Sequence, residues 1–346
     1  MTPVKIEQLD FIGHGLARPE CALAHQSGLV LAPDWTGDGG VSAILPNGLV
    51  KRHLAQNWKQ VSAQLGLDEP LRPNGICLLE GGHILLAHLG VERGGVFSLS
   101  PDGQISVVAS EVDGTPLPPT NFVTIDKQGR IWITVSTRQV PRARAYRSDV
   151  ADGFVVLVDK AGARIVADDL GYTNECLVHP DGKRLFVNET FARRLTSFDI
   201  SSDGTLSNRT TVANLGHGVF PDGLAFDEVG DAWLTSIVSN RVLRVSADGS
   251  VEIFLEDVDQ DHLEWVEQAW LSHQMGRPHL DKAAGQVLRN VSNLAFCGPD
   301  LSKAVLGCLL GERLAKFDMP VKGQAPVHWT FNIDALIRSL DEFKSI

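Results

Sequence analysis

No apolar run in this chain of 346 residues approaches the ~18 residues that a membrane-crossing helix needs. A helical membrane span, and with it a membrane partner, is not expected. Positive charge is also in short supply: 31 Lys and Arg stand against 42 Asp and Glu, a net charge of −11. A surface built to release phosphate counterions is therefore not expected, and nucleic acid drops out of the partners. The first ten residues lack the apolar core and small-residue cleavage site of a secretory signal, which predicts a cytoplasmic protein. Cysteine is sparse and unpatterned. Cys21, Cys77, Cys176, Cys297 and Cys308 contain no C-x-x-C pair, which argues against a disulfide framework and against structural zinc.

Turn formers, by contrast, are plentiful. With 33 Gly and 17 Pro, the chain carries more punctuation than a helical bundle tolerates, and short β-branched segments lie between the breaks. Six segments share one shape: an acid or amide, four to six mostly apolar residues, a polar or Gly-bearing turn, then a second apolar strand. They begin at Glu20, Asn74, Asn121, Asn174, Asp222 and Asn293. Most continue into a second hairpin, as at Pro101-Asp102-Gly103 and Ala247-Asp248-Gly249. Units of about 50 residues holding four short antiparallel strands predict blades of a β-propeller. The expected fold is all-β, a single six-bladed propeller over residues 1–346, with a helical insertion at about 257–290 between blades five and six. The strand near Val4 to Leu9 and the strand near Val327 to Phe331 are the two candidates for closing the last blade.

In a propeller the innermost strand of each blade borders the central channel, so its opening residue sits near the channel mouth. Six units converge six side chains there: two acids, four amides and no apolar residue. Asn74-Gly75 and Asp222-Gly223 taken singly read as turns, but the phase holds in all six units. Oxygen donors without His or Cys suit a hard divalent cation such as Ca²⁺, Mg²⁺ or Mn²⁺, with Zn²⁺ and Fe²⁺ as further candidates. An ion open on its solvent side polarises a carbonyl or lowers the pKa of bound water. Strand alternation places Cys21 on the face away from the channel and Cys176 on the same face as Asn174. Neither is expected to be a nucleophile.

At these residues the chain resembles the gluconolactonase, senescence marker protein and luciferin-regenerating enzyme family, which also looks like diisopropylfluorophosphatase. The resemblance implies that one divalent ion is held by Glu20, by Asn174 ahead of Pro180-Asp181-Gly182, and by Asp222 within Phe220-Pro221-Asp222-Gly223-Leu224-Ala225-Phe226. Asn121 is the implied fourth ligand. Asn293-Leu294-Ala295-Phe296 ahead of Gly298-Pro299-Asp300 fits the last blade. The chain departs from the family pattern in three places. Glu-Gly-Pro-x-Trp reads Glu20-Cys21-Ala22-Leu23-Ala24, Asn-Gly-Leu reads Asn174-Glu175-Cys176, and Pro119 stands where an Arg often precedes the fourth-blade Asn.

Two stretches lie outside the blade pattern. Between Thr137 and Arg147 four arginines fall within ten residues: such a run is usually a solvated loop, but if it leaves its blade on the metal-bearing side, Arg142 and Arg144 are the candidates to pair with a substrate carboxylate or phosphate. In the insertion, Asp261 and Glu264 resemble a capping box, and Leu263, Val266 and Trp270 share one helical face. That helix either covers the funnel, offering Trp265 as an apolar wall, or packs on a second subunit in a homodimer, or lies on its own propeller. His14 and His217, in glycine-flanked loops near the mouth, are read as exposed.

The resulting expectation is a metal-dependent lactonase for a small-molecule substrate, with Asp222 catalytic and Asn121, Asn74 and Asn293 contacting substrate. A metal-dependent hydrolase of phosphotriesters or other activated esters is the first alternative. A non-enzymatic propeller scaffold is the second.

Overall fold

The turns that punctuate the repeats are built from side chains close in sequence. Asp126 accepts hydrogen bonds from the backbone N–H of Gln128 (2.9 Å) and Arg130 (3.0 Å), and from the Trp132 indole (3.0 Å). Gly129 takes a φ of 75°, which closes the turn. Asp227 repeats the arrangement with Val229 (3.1 Å), Asp231 (2.9 Å) and the Trp233 indole (3.0 Å). Both tryptophans are fully buried, so one carboxylate sets the turn and anchors the core beside it.

The computed structural model describes residues 2–342, and its six repeats form six four-stranded antiparallel sheets around a central channel. The inner strands of blades 1 to 6 are Leu23–Ala24, Pro73–Leu78, Thr120–Ile125, Thr173–Val178, Phe220–Phe226 and Val291–Cys297. Inner and middle strands such as Phe220–Phe226 and Ala232–Ile237 are buried throughout, whereas the outer strand Leu206–Asn214 is largely exposed. That gradient follows from packing: middle strands are covered on both faces by neighbouring blades, and the rim is not. Apolar cores therefore lie between blades, as where Cys77 and Leu85 of blade 2 meet Val123 and Ile133 of blade 3.

Of the two candidate ends it is the N-terminal one that closes the ring, one residue beyond the expected stretch. Asp10–Ile12 pairs antiparallel with Leu314–Asp318 as the outer strand of blade 6, while Ile6–Gln8 just before it forms a 3-10 turn. The C-terminal segment instead runs across the lower mouth of the channel, where His328 Nε2 meets the Ala24 carbonyl oxygen at 3.2 Å.

Four helices decorate the described residues: α1 (Trp58–Leu65), α2 (Gln260–Leu271), α3 (Arg277–Asp281) and α4 (Asp334–Glu342). Helix α4 buries Leu336 and Leu340 beside Trp58 and Leu78. The insertion is pinned at both ends by Asp257, whose carboxylate accepts from the backbone N–H of Gln286, Val287 and Leu288 at 2.8–2.9 Å. Helix α2 starts earlier than the expected capping box. Its N-cap is Asp259, which accepts from the His262 N–H at 3.1 Å.

Candidate active site

The six opening residues lie at one end of the channel, and in five of the six blades a β-bulge marks the position. In blades 2 to 6 the ladder between the inner strand and its neighbour slips at the ring position: between Pro73 and Ile76, Thr120 and Phe122, Thr173 and Cys176, Pro221 and Leu224, and Val291 and Asn293. A bulge inserts unpaired residues and turns their side chains out of simple alternation. The slip in blade 4 overturns the expected face of Cys176, which is buried between blades among Trp132, Leu185 and Val187; Cys21, in blade 1, borders the channel cavity and packs with Leu31 and Ile76. All five cysteines are free and buried.

Asn74-Gly75 and Asp222-Gly223 are not turns. They lie within inner strands, and the glycines are required by close approach. A Cβ on Gly75 would sit 2.7 Å from Cα of Phe122, and one on Gly223 would sit 2.6 Å from Cα of Asn293. Blades meet backbone to backbone here.

Hydrogen bonding separates the six ring residues into two groups. Asn74 is fully engaged, accepting from Arg18 Nη1 (2.9 Å) and donating to the Asn121 carbonyl (3.1 Å) and side-chain oxygen (3.4 Å). Asn121 donates to Ser136 Oγ at 2.9 Å. Asn293 is engaged at both ends, accepting from the Ala22 N–H and donating to Glu175 Oε1, each at 2.8 Å. Asn74 and Asn293, expected to contact substrate, thus frame the site instead of facing into it. Glu20 Oε2 and Asn174 Oδ1 differ: both are buried and have no hydrogen-bond partner. Asn174 is oriented through its Nδ2, which donates to Thr190 Oγ1 at 3.0 Å, and Thr190 in turn donates to the Pro221 carbonyl at 2.8 Å. Asn188 grips the carbonyls of Asp222 and Gly223 at 3.0 and 2.9 Å. Blade 4 thereby holds both its own amide and the acid of blade 5.

Burial and mutual repulsion set the electrostatics of this cluster. Burial drives the Asp222 carboxyl well above its ordinary pKa, and repulsion from Glu20 and Glu175 adds to it, while Arg18 and Asn174 pull it back. Burial likewise raises Glu20, with Arg18, Asn74 and Arg142 opposing. Arg18 Nη1 lies 4.0 Å from Glu20 Oε2, and burial brings its own pKa down to about 10. Crowded buried carboxylates beside unpartnered oxygens fit a hard divalent cation. Glu20, Asn174 and Asp222 are the residues that would hold it. Among the described residues no group of three or more His, Cys, Asp or Glu is arranged for a metal, and Glu20, Asn174 and Asp222 combine carboxylates with an amide.

Sequence reasoning missed Glu175. It reaches across the channel to blade 6 through Asn293, and its Oε2 accepts from the Leu224 N–H at 2.8 Å. Burial pushes its carboxyl up to about 8. The departure Asn174-Glu175-Cys176 was the available signal, but only the bulge between Thr173 and Cys176 turns this side chain into the channel. Arg18 was missed as well. Its guanidinium lies over the Trp35 ring, 4.3 Å from its centroid.

Of the four clustered arginines, Arg138 is forked to Asp168 (2.7 and 2.8 Å) and Arg147 to Asp149 (2.7 and 2.6 Å). Arg144 is exposed. Arg142 is half-buried and forms no ion pair among the described residues. Burial works against its charge, but Tyr172, Tyr146, Glu20 and Asp222 outweigh it and raise its pKa. The arginine pair expected from sequence therefore reduces to Arg142.

Helix α2 lies on its own propeller, at the loops of blades 4 and 5 on the ring side of the molecule. Glu267 pairs with Arg193 at 2.7 and 3.0 Å and accepts from the Gly218 N–H at 2.6 Å. The Trp270 indole donates to the Phe191 carbonyl at 3.2 Å. Trp265 is not an apolar wall of the site, because it stacks on His279 at 4.0 Å and stays 43% exposed. His14 is exposed, and His217 is 59% exposed beside Glu264. No helix among the described residues is long and apolar enough to cross a membrane.

The chain is similar to several known proteins. A 6-deoxy-6-sulfogluconolactonase from Pseudomonas putida is 29% identical over 163 residues, covering 46% of this chain and 53% of that protein. The chain spans between half and three fifths of the length of the curated relatives it matches. The solved gluconolactonase of Xanthomonas campestris superposes with a TM-score of 0.64 at 17% identity, covering 92% of this chain and 94% of that one. A calcium-binding protein, regucalcin, from Agrobacterium tumefaciens str. C58 superposes with a TM-score of 0.64 at 16% identity, covering 92% and 97%. These likenesses of structure establish the fold. The pattern of the SMP-30/Gluconolactonase/LRE-like region matches residues 47–254, more than half of the chain, and the protein belongs to that family.

Proposed function

We propose that the protein is a divalent-cation-dependent lactonase whose substrate carries an anionic group. The observation that carries this reading is the pair of buried oxygens without a hydrogen-bond partner, Glu20 Oε2 and Asn174 Oδ1, beside Asp222 at the channel mouth. Membership of a gluconolactonase family supports the reaction class. When bound, the cation would polarise the lactone carbonyl and stabilise the oxyanion. The residues do the rest. Asp222 orients the attacking water and accepts its proton as oxygen adds to the carbonyl carbon. The acyl–oxygen bond of the ring then breaks, and the proton passes to the departing alkoxide, leaving a hydroxy acid.

Arg142 supports the anionic substrate. A half-buried guanidinium with no carboxylate partner, next to the ring, is suited to a substrate carboxylate, sulfonate or phosphate. The name of the Pseudomonas putida relative describes a sulfo-substituted lactone, which accords with this class. The test is turnover of neutral and anionic lactones, with activated esters and phosphotriesters alongside, before and after chelation and on adding back Ca²⁺ or Mn²⁺. Lactone opening lost on chelation and restored by an ion is expected. Turnover indifferent to chelation refutes the cation, and turnover of phosphotriesters alone refutes the lactone.

A further inference from the structure

Beneath the ring, four buried groups form one hydrogen-bonded chain across the channel. The Ala22 N–H donates to Asn293 Oδ1, Asn293 Nδ2 donates to Glu175 Oε1, and the Leu224 N–H donates to Glu175 Oε2, each at 2.8 Å. The position of each link matters. Ala22 follows Glu20 by two residues, Glu175 follows Asn174 directly, and Leu224 follows Asp222 by two. Each of the three proposed oxygen donors thus sits within two residues of this hydrogen-bonded chain, in blades 1, 4 and 5.

We infer that Glu175 is the positioning residue that holds the strands carrying Glu20, Asn174 and Asp222 at the spacing a cation requires. The inference rests on reading those three residues as the cation's donors. Inner strands are sheet edges, so their N–H groups toward the channel have no ladder partner, and side chains must satisfy them. A neutral side chain would serve for that purpose alone. A carboxylate differs in offering two acceptors, so one side chain reaches the Asn293 amide and the Leu224 N–H together. Both Glu175 oxygens and both ends of the Asn293 amide are committed within the chain, so neither side chain is free to turn toward a substrate. Partners of this kind orient the ligands of a metal, and their loss typically costs about 10- to 100-fold in metal affinity.

The test is calorimetric titration with Ca²⁺ and Mn²⁺ of the full-length protein and its Glu175→Ala, Glu175→Gln, Asn293→Ala and Glu175→Ala/Asn293→Ala variants. Thermal unfolding with and without the ion is measured in parallel. Glu175→Ala and Asn293→Ala should each bind about 10- to 100-fold more weakly. The double variant should be little worse than the weaker single one, because both break the same chain. Glu175→Gln, which keeps one acceptor, should recover part of the loss. A merely structural role would lower the melting temperature without ion and leave the ion-induced rise unchanged, whereas positioning shrinks that rise. Wild-type affinity in Glu175→Ala, or additive losses in the double variant, overturns the inference. Should Glu175→Ala fail to fold, wild-type affinity in both Asn293→Ala and Glu175→Gln overturns it equally. A wild-type protein that binds neither ion removes the donor assignment first, and this inference with it.

Discussion

Replacing Arg142 with Gln is the most direct probe of substrate class. In the folded protein this guanidinium is half-buried and forms no ion pair among the described residues. The groups that raise its pKa are Tyr172 and Tyr146 first, and then the site carboxyls Glu20 and Asp222. An anionic substituent on the lactone would meet a partly desolvated cation whose hydrogen-bonding groups have no carboxylate competitor. Hydrogen bonds to charged groups contribute about 1.5–3 kcal/mol, which corresponds to roughly 10- to 150-fold in kcat/KM. Arg142→Gln should therefore lose about that factor on a carboxylate- or sulfonate-bearing lactone and almost nothing on its neutral counterpart. Arg142→Lys should fall between, because an ammonium keeps the charge but not the fork. Arg144→Gln, exposed on the same short turn, is the control and should behave as wild type. The assay is initial-rate kinetics on a matched pair of lactones at low and high salt. Equal losses on both lactones, or an Arg144 effect as large as that of Arg142, would refute the reasoning.

Other consequences follow from the same geometry. Glu20→Gln and Asp222→Asn should each abolish nearly all lactone turnover and the Ca²⁺-induced rise in melting temperature, with an unchanged far-ultraviolet circular dichroism spectrum; retained turnover in either counts against the site. Glu267→Ala strands the Arg193 guanidinium between the Phe220 and Trp270 rings, 4.2 and 3.6 Å from their centroids. Breaking that buried pair should cost about 3–5 kcal/mol, read as early proteolysis within α2 or a lowered melting temperature. The His328 pKa is brought down by burial to about 4, so folding favours the neutral ring. Its share of stability is intact above the ordinary histidine value and is lost as pH falls from about 6.5 toward 4, a loss of about 3 kcal/mol at most. His328→Gln should flatten the pH dependence of denaturant midpoints over that window, and an unchanged slope would show that the imidazole is not the group responsible.

Much of the fold was legible from local pattern. An Asp followed by a Gly three residues on and a Trp three beyond that carries its own turn and its own core anchor, as at Asp126 and Asp227, so the inner hairpins of blades 3 and 5 are written in adjacent residues. The residues opening the inner strands were readable for the same reason. Blade closure was not, because Asp10–Ile12 finds its partner in Leu314–Asp318 at the far end of the chain.

Within the ring, the sequence by itself determined which chemistries could meet at the channel mouth: carboxylates and amides, with neither thiolate nor imidazole. Only the tertiary structure decided which of them remain available. Amides that look alike in sequence differ in their partners, Asn74 and Asn293 being spent on neighbouring blades while the Asn174 oxygen is left open. Glu175 enters the channel because the bulge in its strand breaks the two-residue alternation on which any reading of faces depends. The physical reason is common to both cases: hydrogen-bond partners and bulges arise where blades distant in sequence press together, and no short stretch of chain encodes that contact.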